Sequence, residues 1–490
     1  MKRIFAIALL LLPVSLLGCA AGTSSTTSTT TTTTTTTTTP VTIANVQAFT
    51  DPTGSVATYT TAGSIVESGP FFTALGANAR TCNTCHQPSE GMSLNTASLQ
   101  ALFTSTAGAD PVFDAIDGAN CPTVATGSTA GHSLLLNNGL IRIALTLPTT
   151  AQFTVTVLSD PYGCATTLNS SGQQVVSVYR RPLPTAGLPF LSSVMWDTRE
   201  TLLALTTATT LDSCLGTDLT QQMDDAVSTH EQGTATPTTA EISAALTFEQ
   251  GLFTAQTTDN AAGSLSVNGA TGGPTNLAAQ NYYPGINDTF GGDPTGAKFN
   301  PASMTLYTAW AGSANAAQAS IARGENLFNT APMTLSNVTG LPTPPGGVIT
   351  KASCSFCHDA PNLGHHSLPL PLDTGQAHLA ASETDPNIVA GLGQLSEPSL
   401  PVYQINGCKV NGVAVTYVTT DPGKALTSGL CSDVNVQKVP ILRGLAARAP
   451  YFHNGSAATL AQVVNFYNAR FQMGLNQGQK TDLVNFLNAL

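Results

Sequence analysis

The pattern of apolar and polar residues changes along the chain, and two segments in its first half favour strands. Residues 134–147 and 153–158 are rich in apolar and β-branched side chains, which suit the half-buried face of a sheet. Residues 260–301 are instead rich in glycine and asparagine, which predicts a long surface connection. The pattern therefore predicts a few short strands and a long irregular segment near the middle of the chain.

Helical spacing of apolar residues is clearest in the second half of the chain. Residues 241–256 place apolar side chains at helical spacing, and Thr238 or Thr239 can cap the start of this helix. The other predicted helices are residues 320–330, 459–469 and 477–490. We expect a mainly α fold with long irregular loops and a few short strands.

The first residues of the chain differ from the globular part. Lys2 and Arg3 precede a short apolar stretch, which is typical of an export signal. The stretch ends in LLGC and resembles a bacterial lipobox, which implies cleavage before Cys19 and lipidation of its thiol; a simple secretory peptide is the alternative. We expect residues 1–19 to be a lipoprotein signal and residues 20–45 a threonine-rich tether. This predicts a periplasmic or envelope protein that contacts a bacterial membrane only through its lipid anchor.

Length and charge limit the function further. The chain has 490 residues, which is enough for two domains with their own cores. Its formal net charge is −11, and only 9% of its residues are charged. Because binding to nucleic acid requires a basic surface, no nucleic-acid partner is expected.

The segments CNTCH and CSFCH repeat one chemical motif far apart in the chain. Two thiols one helical turn apart can add to the two vinyl groups of one haem, and the following histidine can then bind the iron. A zinc knuckle would need four ligands close together, and a redox dithiol would not need the histidine. We therefore predict two covalently bound c-type haems. Cys82 and Cys85 would attach the first haem and His86 would bind its iron. For the second haem the corresponding residues are Cys354, Cys357 and His358.

Export permits disulfides among the remaining cysteines. Cys408 and Cys431 flank a strand-like segment and could be joined. One pair is plausible among the three cysteines that remain, and the sequence does not assign it. Those three are Cys121, Cys164 and Cys214.

Four further segments resemble bacterial di-haem cytochrome c peroxidases and their MauG-type relatives. They are FLSSVMWDTRE, IARGENLFNT, TTDPGKAL and VPILRGLAARAPYFHNGSAATLAQVVNFYN, and their order matches that of the family. The resemblance extends from about residue 65 to the end of the chain. It implies two cytochrome-c-like haem domains, at residues 46–300 and 301–490. In this family the N-terminal haem binds hydrogen peroxide, and the C-terminal haem receives electrons from a small cytochrome c or a cupredoxin.

The resemblance also implies roles for residues around the first haem. Trp196 matches the tryptophan that lies between the haems in the family and can relay an electron, although a core tryptophan is the alternative. Thr198 replaces the usual glycine of that segment. A base and an acid are needed at the peroxide site, and this stretch of the chain does not align cleanly with the family. The candidates are Gln221, Gln222, Asp225, His230 and Glu231, with His230 as distal base or removable ligand and His132 as a weaker candidate.

The sixth ligand of the second haem has two candidates. The family places a methionine or, in MauG-type members, a tyrosine on the helix after PYFH. The matching position here is Tyr467, and Met473 competes with it. His453 is expected near a haem propionate rather than on the iron. His365 and His366 are expected close to the second haem motif or on the surface, and the calcium ion of many relatives has no clear ligand set here.

Three functions remain open at the level of the sequence. The first is a peroxidase that reduces hydrogen peroxide. The second is an oxidase or oxygenase acting on an organic or protein substrate, as MauG-type enzymes and rubber oxygenases do, and Tyr467 favours it. The third is a two-haem electron carrier without catalytic activity. An open or openable coordination position at the first haem would distinguish the two enzymes from the carrier.

Overall fold

The computed structural model describes residues 40–201, 208–343, 347–410 and 412–490, without the side chains of residues 208–214. Residues 40–490 form one compact unit. The predicted signal, Cys19 and nearly all of the tether lie outside the described residues, and the domain boundary near residue 300 stays a prediction. No described helix has both the length and the apolar character that crossing a bilayer requires.

The described residues contain both helices and strands in quantity. The α-helices are Cys82–Cys85, Thr96–Thr106, Ser133–Asn138, Ala208–Thr229, Thr239–Gln250, Pro274–Ala278, Ala316–Thr330, Cys354–Cys357, Pro386–Leu392, Ala425–Ser428, Leu460–Arg470 and Gln477–Asn488. The strands are Thr42–Ala44, Ala48–Asp51, Gly54–Thr60, Ser64–Val66, Ile141–Thr146, Thr154–Ser159, Thr166–Leu168, Gln174–Arg180, Leu252–Asp259, Gly263–Ser264, Met333–Thr334, Lys351–Ala352, Val402–Val410 and Val413–Thr419. With 30% helix and 18% strand, the predicted mainly α class is not confirmed.

Residues 134–147, predicted to be a strand, adopt that conformation only in part. Their first part is the helix Ser133–Asn138, and only the strand Ile141–Thr146 has the predicted conformation. Gly139 separates the two with a left-handed φ of 62°, a conformation that glycine adopts without steric cost and that commonly ends a helix. A short apolar run does not distinguish a helix from a strand when the element is fully buried. Both elements then have apolar residues at nearly every position, and neither shows a periodic pattern.

The predicted helix at residues 241–256 is confirmed in its first part. The helix Thr239–Gln250 begins at Thr238, whose side chain accepts from the backbone of Glu241 while Glu241 bonds back to Thr238. The following residues form the strand Leu252–Asp259 instead, within a four-stranded sheet. Its β-branched and aromatic residues pair antiparallel with Gly54–Thr60, and this pairing replaces the end of the predicted helix.

The glycine- and asparagine-rich segment 260–301 is not only a surface connection. It contains the short helix Pro274–Ala278, and it buries Leu265, Asp288 and Asp293. Buried carboxylates require polar partners, and the segment therefore has a defined structure beside the second haem motif.

The C-terminal core is built from two predicted helices that the structure confirms. Ala316–Thr330 packs against Gln477–Asn488, with Gly324 of the first helix facing the backbone of Asp482. The third predicted helix is present as Leu460–Arg470. Phe328, Trp310 and Phe486 are buried in this core.

One sheet joins distant parts of the chain. Val402–Val410 pairs antiparallel with Val413–Thr419 on one side and with Thr154–Ser159 on the other, so Tyr403 lies opposite both Thr419 and Val157. The predicted disulfide between Cys408 and Cys431 is confirmed. Cys121 is paired with Cys164, which resolves the choice that the sequence left open; the side chain of Cys214 lies outside the described residues.

Candidate functional site

Each CxxCH motif lines a separate cavity. We call the first the N cavity; its empty volume, including its opening to solvent, is about 1420 Å³, and Cys82, Cys85 and His86 lie in its wall. The second, the C cavity, has about 1380 Å³ and contains Cys354, Cys357 and His358. Both motifs begin as a single helical turn, Cys82–Cys85 and Cys354–Cys357, which places the two thiols on one side.

The histidine of each motif is held in the orientation that a metal ligand needs. Nδ1 of His86 lies 3.2 Å from the carbonyl oxygen of Met92, and Nδ1 of His358 lies 2.5 Å from that of Gly364. Because a carbonyl can only accept, Nδ1 carries the proton and Nε2 keeps its lone pair. Burial lowers the pKa of both imidazoles to about 4, so both rings are neutral at pH 7.

The two cavities fit covalently bound haem. The four motif thiols form no disulfide and are free for thioether bonds. Most of the other wall residues are apolar, such as Leu191 and Val194 in the N cavity and Leu442 and Val464 in the C cavity. Nε2 of the buried His453 has no hydrogen-bond partner among the described residues and belongs to the C-cavity wall. An unsatisfied buried nitrogen in a cavity wall suits the propionate predicted to lie near it.

Trp196 lies in the walls of both cavities. Its indole Nε1 donates to the carbonyl oxygen of Arg181 at 2.8 Å, which fixes the ring plane. The ring also lies edge-on to His453, with 6.1 Å between centroids. The structure thus places this side chain between the two motif sites, while the transfer of electrons through it stays a prediction.

Lys438 is a second residue shared by both walls, and it was not among the residues predicted from the sequence. Its backbone nitrogen donates to the carbonyl of Trp196 at 2.7 Å, and its ammonium group donates to the carbonyl of Ser193. Burial lowers its pKa to about 7. A buried lysine between two cavities is therefore a cation that an anionic group in either cavity would stabilise.

A buried ion-pair cluster connects three of the segments that carry the family resemblance. Arg180 donates to Asp197 of WDTRE at 2.6 Å and to both carboxylate oxygens of Asp421, in TTDPGKAL, at 2.7 and 2.9 Å. Nε2 of His453, in PYFHNG, lies 3.8 Å from Asp421. Burial would lower the pKa of Arg180, but the two carboxylates outweigh burial and raise it. These segments, far apart in sequence, are therefore positioned by one guanidinium.

The peroxide-side candidate His230 has a carboxylate partner. Its Nδ1 is hydrogen-bonded to Asp117, and Asp117 also pairs with Arg80. Burial would raise the pKa of Asp117, but His230 and Arg80 outweigh burial and lower it, so the carboxylate is ionised. No described residue forms a hydrogen bond with Nε2 of His230, and that nitrogen is available to a ligand. The histidine is part of the N-cavity wall.

A cleft with an empty volume of about 1370 Å³, including its opening to solvent, adjoins the N cavity. We call it the side cleft; it shares Met195, Gln222 and His230 with the N-cavity wall. Glu200 and Asp225 also line it, and burial together with Asp225 raises the pKa of Glu200 to about 7. The side cleft therefore lies next to the face of the N cavity to which His230 belongs.

Of the other candidates for the base and acid at the peroxide site, some line the N cavity and some do not. Gln222 and Glu231 contribute to the N-cavity wall, and Oε2 of Glu231 accepts from the backbone of Leu75. Gln221 bonds to Asp225 near the surface and does not line the N cavity. His132 is fully buried away from it, with both ring nitrogens against the backbone carbonyls of Ser128 and Phe113. The structure thus brings His132 to no haem site, because its ring fills a core position.

Both candidates for the sixth ligand of the second haem line the C cavity. Tyr467 lies on the helix Leu460–Arg470, and Met473 follows that helix. The hydroxyl of Tyr467 lies 3.4 Å from Nε2 of Gln376, and burial raises its pKa. A phenolate here would therefore need a bound cation to be stable at neutral pH.

His365 and His366 follow the second motif and are both buried. Nε2 of His365 lies 3.5 Å from the hydroxyl of Tyr282, and neither histidine lines the C cavity. A surface location is thus wrong for both. Their placement results from the tight loop after Cys354–Cys357, in which Gly364 has a left-handed φ of 79°.

Parts of the chain are similar to known proteins. Residues 437–473 match the family described as RoxA-like, cytochrome c-like. The cytochrome c peroxidase IdrP2 of Denitromonas iodatirespirans is 33% identical over 149 residues, which are 29% of this chain and 36% of that protein. The cytochrome c551 peroxidase of Nitrosomonas europaea is 34% identical over 108 residues, 21% of this chain and 32% of that protein. The chain thus spans about a third of the length of the curated relatives it matches.

A crystal structure of a MauG-like protein associated with microbial copper homeostasis aligns with 67% of this chain and 79% of that chain. The identity is 15% and the TM-score is 0.28, which support no conclusion about the fold.

The cytochrome c-like match and the CxxCH motifs in the cavity walls imply covalently bound c-type haem. Over part of its length the chain is similar to cytochrome c peroxidases.

Proposed function

We propose that the chain is an exported di-haem peroxidase that reduces hydrogen peroxide with electrons from a small cytochrome c or cupredoxin. The observation that carries the proposal is the pair of CxxCH cavities with Trp196 in both walls. The two curated relatives are cytochrome c peroxidases by name, which supports the same activity. Peroxide would react in the N cavity, and electrons would arrive through the C cavity.

The overall reaction takes one hydrogen peroxide, two electrons and two protons to two waters. When bound, the haem of the N cavity would supply the iron on which the O–O bond is cleaved. His230 would accept a proton from the oxygen that binds and return it to the oxygen that leaves. The hydrogen bond between Nδ1 of His230 and Asp117 would orient the ring for this role.

Electron transfer is proposed to follow the shared wall. Trp196 has an extended π-system between the two motif sites, and its ring is fixed by Arg181 and packs near His453. Lys438 lies in both walls beside this route, and with its pKa lowered to about 7 by burial it would carry a positive charge in part of the molecules at pH 7. A buried cation stabilises an arriving electron, so it favours reduction in both cavities.

A second candidate function is oxidation of an organic or protein substrate, as in MauG-type enzymes. Two observations favour it: Tyr467 lies in the C cavity, and the side cleft is far larger than hydrogen peroxide requires. The cleft is lined by Arg142, Glu200 and Asp225, so a polar substrate would be expected.

The distinguishing experiment is a peroxide titration of the purified holoprotein, preceded by a pyridine haemochrome assay. We expect about two haems per chain that acid–acetone does not extract. Two equivalents of electrons should be consumed per peroxide when a reduced cytochrome c is present. If peroxide changes the haem spectrum but no small redox protein is oxidised, the result would favour the second candidate function, oxidation of an organic or protein substrate. Two haems that do not respond to peroxide would leave only an electron carrier.

We also propose that the chain is exported and held on a bacterial membrane by a lipid at Cys19. The basic and apolar start of the chain and its LLGC ending support this. Labelling with a radioactive fatty acid should mark the protein, and Cys19→Ser should abolish the label and release the protein in soluble form. Labelling that persists in Cys19→Ser would contradict the anchor.

A further inference from the structure

A second metal site lies beside the C cavity, built from residues that the peroxidase mechanism does not use. Asp288, Asp359 and His366 are each at most 3% exposed. One ligand atom of each lies within 4.8 Å of the other two. Nε2 of His366 lies 3.2 Å from Oδ2 of Asp359 and 3.9 Å from Oδ1 of Asp288.

Two of the three converging atoms lack a hydrogen-bond partner. Oδ1 of Asp288 and Nε2 of His366 are buried and unpartnered among the described residues. An unsatisfied buried carboxylate oxygen and imidazole nitrogen are costly unless a cation or proton lies between them. Among the described residues, no lysine or arginine forms an ion pair with Asp288 or Asp359, and the basic side chain near both carboxylates is His366.

The surrounding hydrogen bonds hold the three groups in a ligating orientation. Oδ2 of Asp288 accepts from the backbone nitrogens of Phe290 and Gly292 at 2.9 and 2.6 Å. This leaves Oδ1 as the oxygen that faces the cluster. Oδ1 of Asp359 accepts from the nitrogen of Ser367 at 2.7 Å, while Oδ2 lies 3.2 Å from the nitrogen of Thr289.

The imidazole of the cluster is oriented in the same way. Nδ1 of His366 lies 3.1 Å from the carbonyl oxygen of Leu368. The backbone nitrogen of Leu368 also lies 3.3 Å from this Nδ1, so both contacts of Nδ1 are with Leu368, and Nε2 is the ring nitrogen that faces the two carboxylates. A partner on the distal ring nitrogen is the usual arrangement around a metal-bound histidine.

We propose that Asp288, Asp359 and His366 bind one divalent transition-metal ion of the zinc class. Tetrahedral zinc with bonds of about 2.0–2.1 Å has ligand atoms roughly 3.4 Å apart, which is close to the observed 3.2 and 3.9 Å. A nitrogen ligand with two carboxylates favours zinc, manganese, cobalt or ferrous iron over calcium. Water would complete the coordination.

The ion would connect two loops that are otherwise joined by hydrogen bonds. Asp288 belongs to the segment before the C-terminal core, whereas Asp359 and His366 belong to the loop after the second motif. That loop also carries Gly364, whose carbonyl accepts from Nδ1 of His358. The metal would therefore stabilise the backbone that orients the axial histidine of the C cavity.

Zinc binding to the holoprotein tests the proposal directly. Untagged protein, treated with dipicolinate and desalted, is titrated with Zn²⁺ and analysed by inductively coupled plasma mass spectrometry. We expect about one zinc per chain and a rise in the thermal midpoint. Asp288→Asn and His366→Gln should each weaken zinc binding by at least about tenfold and lose the thermal shift. Haem iron does not interfere, because zinc is counted separately.

Two control variants separate the site from other effects. His378 lies between Asp373 and Glu383, with each ring nitrogen already paired, so His378→Gln should leave zinc binding unchanged. Asp293→Asn removes a carboxylate that is not a member of the cluster but accepts from the backbone nitrogen of Asn287, so it should weaken zinc binding less than Asp288→Asn does. The proposal is overturned if the wild-type protein binds no zinc, manganese or cobalt. It is equally overturned if Asp288→Asn and His366→Gln bind zinc as tightly as the wild type. Peroxidase activity does not enter either result.

Discussion

At the scale of single residues, the histidines show how partners decide the chemistry of one side chain. His86 and His358 each donate from Nδ1 to a backbone carbonyl, and burial keeps them neutral with Nε2 free. His378 instead lies between two carboxylates, which outweigh burial and raise its pKa to about 9. An imidazole held in that way is a cation at pH 7 and does not ligate a metal. The same residue type is thus a ligand in one setting and an ion-pair partner in another.

Trp196 is the residue on which the proposed electron route depends. Trp196→Phe keeps an aromatic ring of similar shape but is much harder to oxidise. We expect unchanged haem spectra and inter-haem transfer at least about tenfold slower, which corresponds to about 1.4 kcal/mol in the barrier. Stopped-flow mixing of the half-reduced protein with hydrogen peroxide measures this step.

Trp310 is the matched control for this substitution. It is the other of the two tryptophans, it is buried in the C-terminal core, and it lines neither cavity. Trp310→Phe should lower stability and leave the transfer rate unchanged. Normal inter-haem transfer in a well-folded Trp196→Phe protein would show that the tryptophan is only structural.

Tyr467 and Met473 compete as the sixth ligand of the second haem, and substituting each one distinguishes between them. If Tyr467 is the ligand, Tyr467→Phe should change the spectrum of that haem and raise its potential. The reason is that an anionic oxygen ligand stabilises ferric iron. The shift should be on the order of 100 mV, since axial ligands set haem potentials over about 0.8 V. Spectroelectrochemical titration of both variants measures it. A lost low-spin band in Met473→Leu, with a silent Tyr467→Phe, would reverse the assignment.

At the scale of elements, one glycine decides how closely two helices approach. A Cβ at Gly324, in Ala316–Thr330, would lie 2.0 Å from the carbonyl oxygen of Asp482 and 2.6 Å from Cβ of Phe486. Alanine favours a helix by about 1 kcal/mol over glycine, whereas overpacking costs about 1–3 kcal/mol. Gly324→Ala should therefore lower the free energy of unfolding by up to about 2 kcal/mol in thermal or denaturant unfolding.

Gly478 provides the control, because it lies in the partner helix Gln477–Asn488. There a Cβ would meet only Oδ1 of Asn476, at 3.4 Å. Gly478→Ala should be neutral or stabilise the protein by a few tenths of a kcal/mol. Equal effects of the two substitutions would mean that helix propensity, rather than the close contact, governs both.

The elements also show what the sequence can and cannot predict. The helices at the C-terminus were predictable because caps such as Thr459 and Asn476 precede clear apolar spacing. The cysteines and histidines of the CxxCH motifs were predictable because the residues that act together are neighbours in the sequence. Lys438 and Asp117 were not, because each acquires its role from residues distant in sequence: Trp196 for Lys438 and His230 for Asp117. Only the charge of a lysine between two apolar segments could have drawn attention to Lys438.

At the scale of the whole molecule, the segments that carry the two motifs are interdependent. Thr154–Ser159 pairs with Val402–Val410 in one sheet. Arg180, fully buried, is paired with Asp421 from the second segment. Separating the segments would expose a sheet edge and leave these charges without partners, and breaking a buried ion pair costs about 3–5 kcal/mol.

Expression of the two halves of the chain tests this interdependence. We expect residues 40–300 and 301–490, produced separately with the machinery for haem attachment, to unfold without a cooperative transition. Produced together, they should copurify and recover one cooperative transition, because the shared sheet and the Arg180–Asp421 pair can then form. Circular dichroism during heating measures the transitions, and the intact residues 40–490 serve as the reference. A sharp transition and a native haem spectrum in either half alone would instead establish two independent domains that meet near residue 300. In that case the sheet and ion pairs join domains that are already folded, and Asp421→Asn should then weaken the association of the halves without unfolding either one.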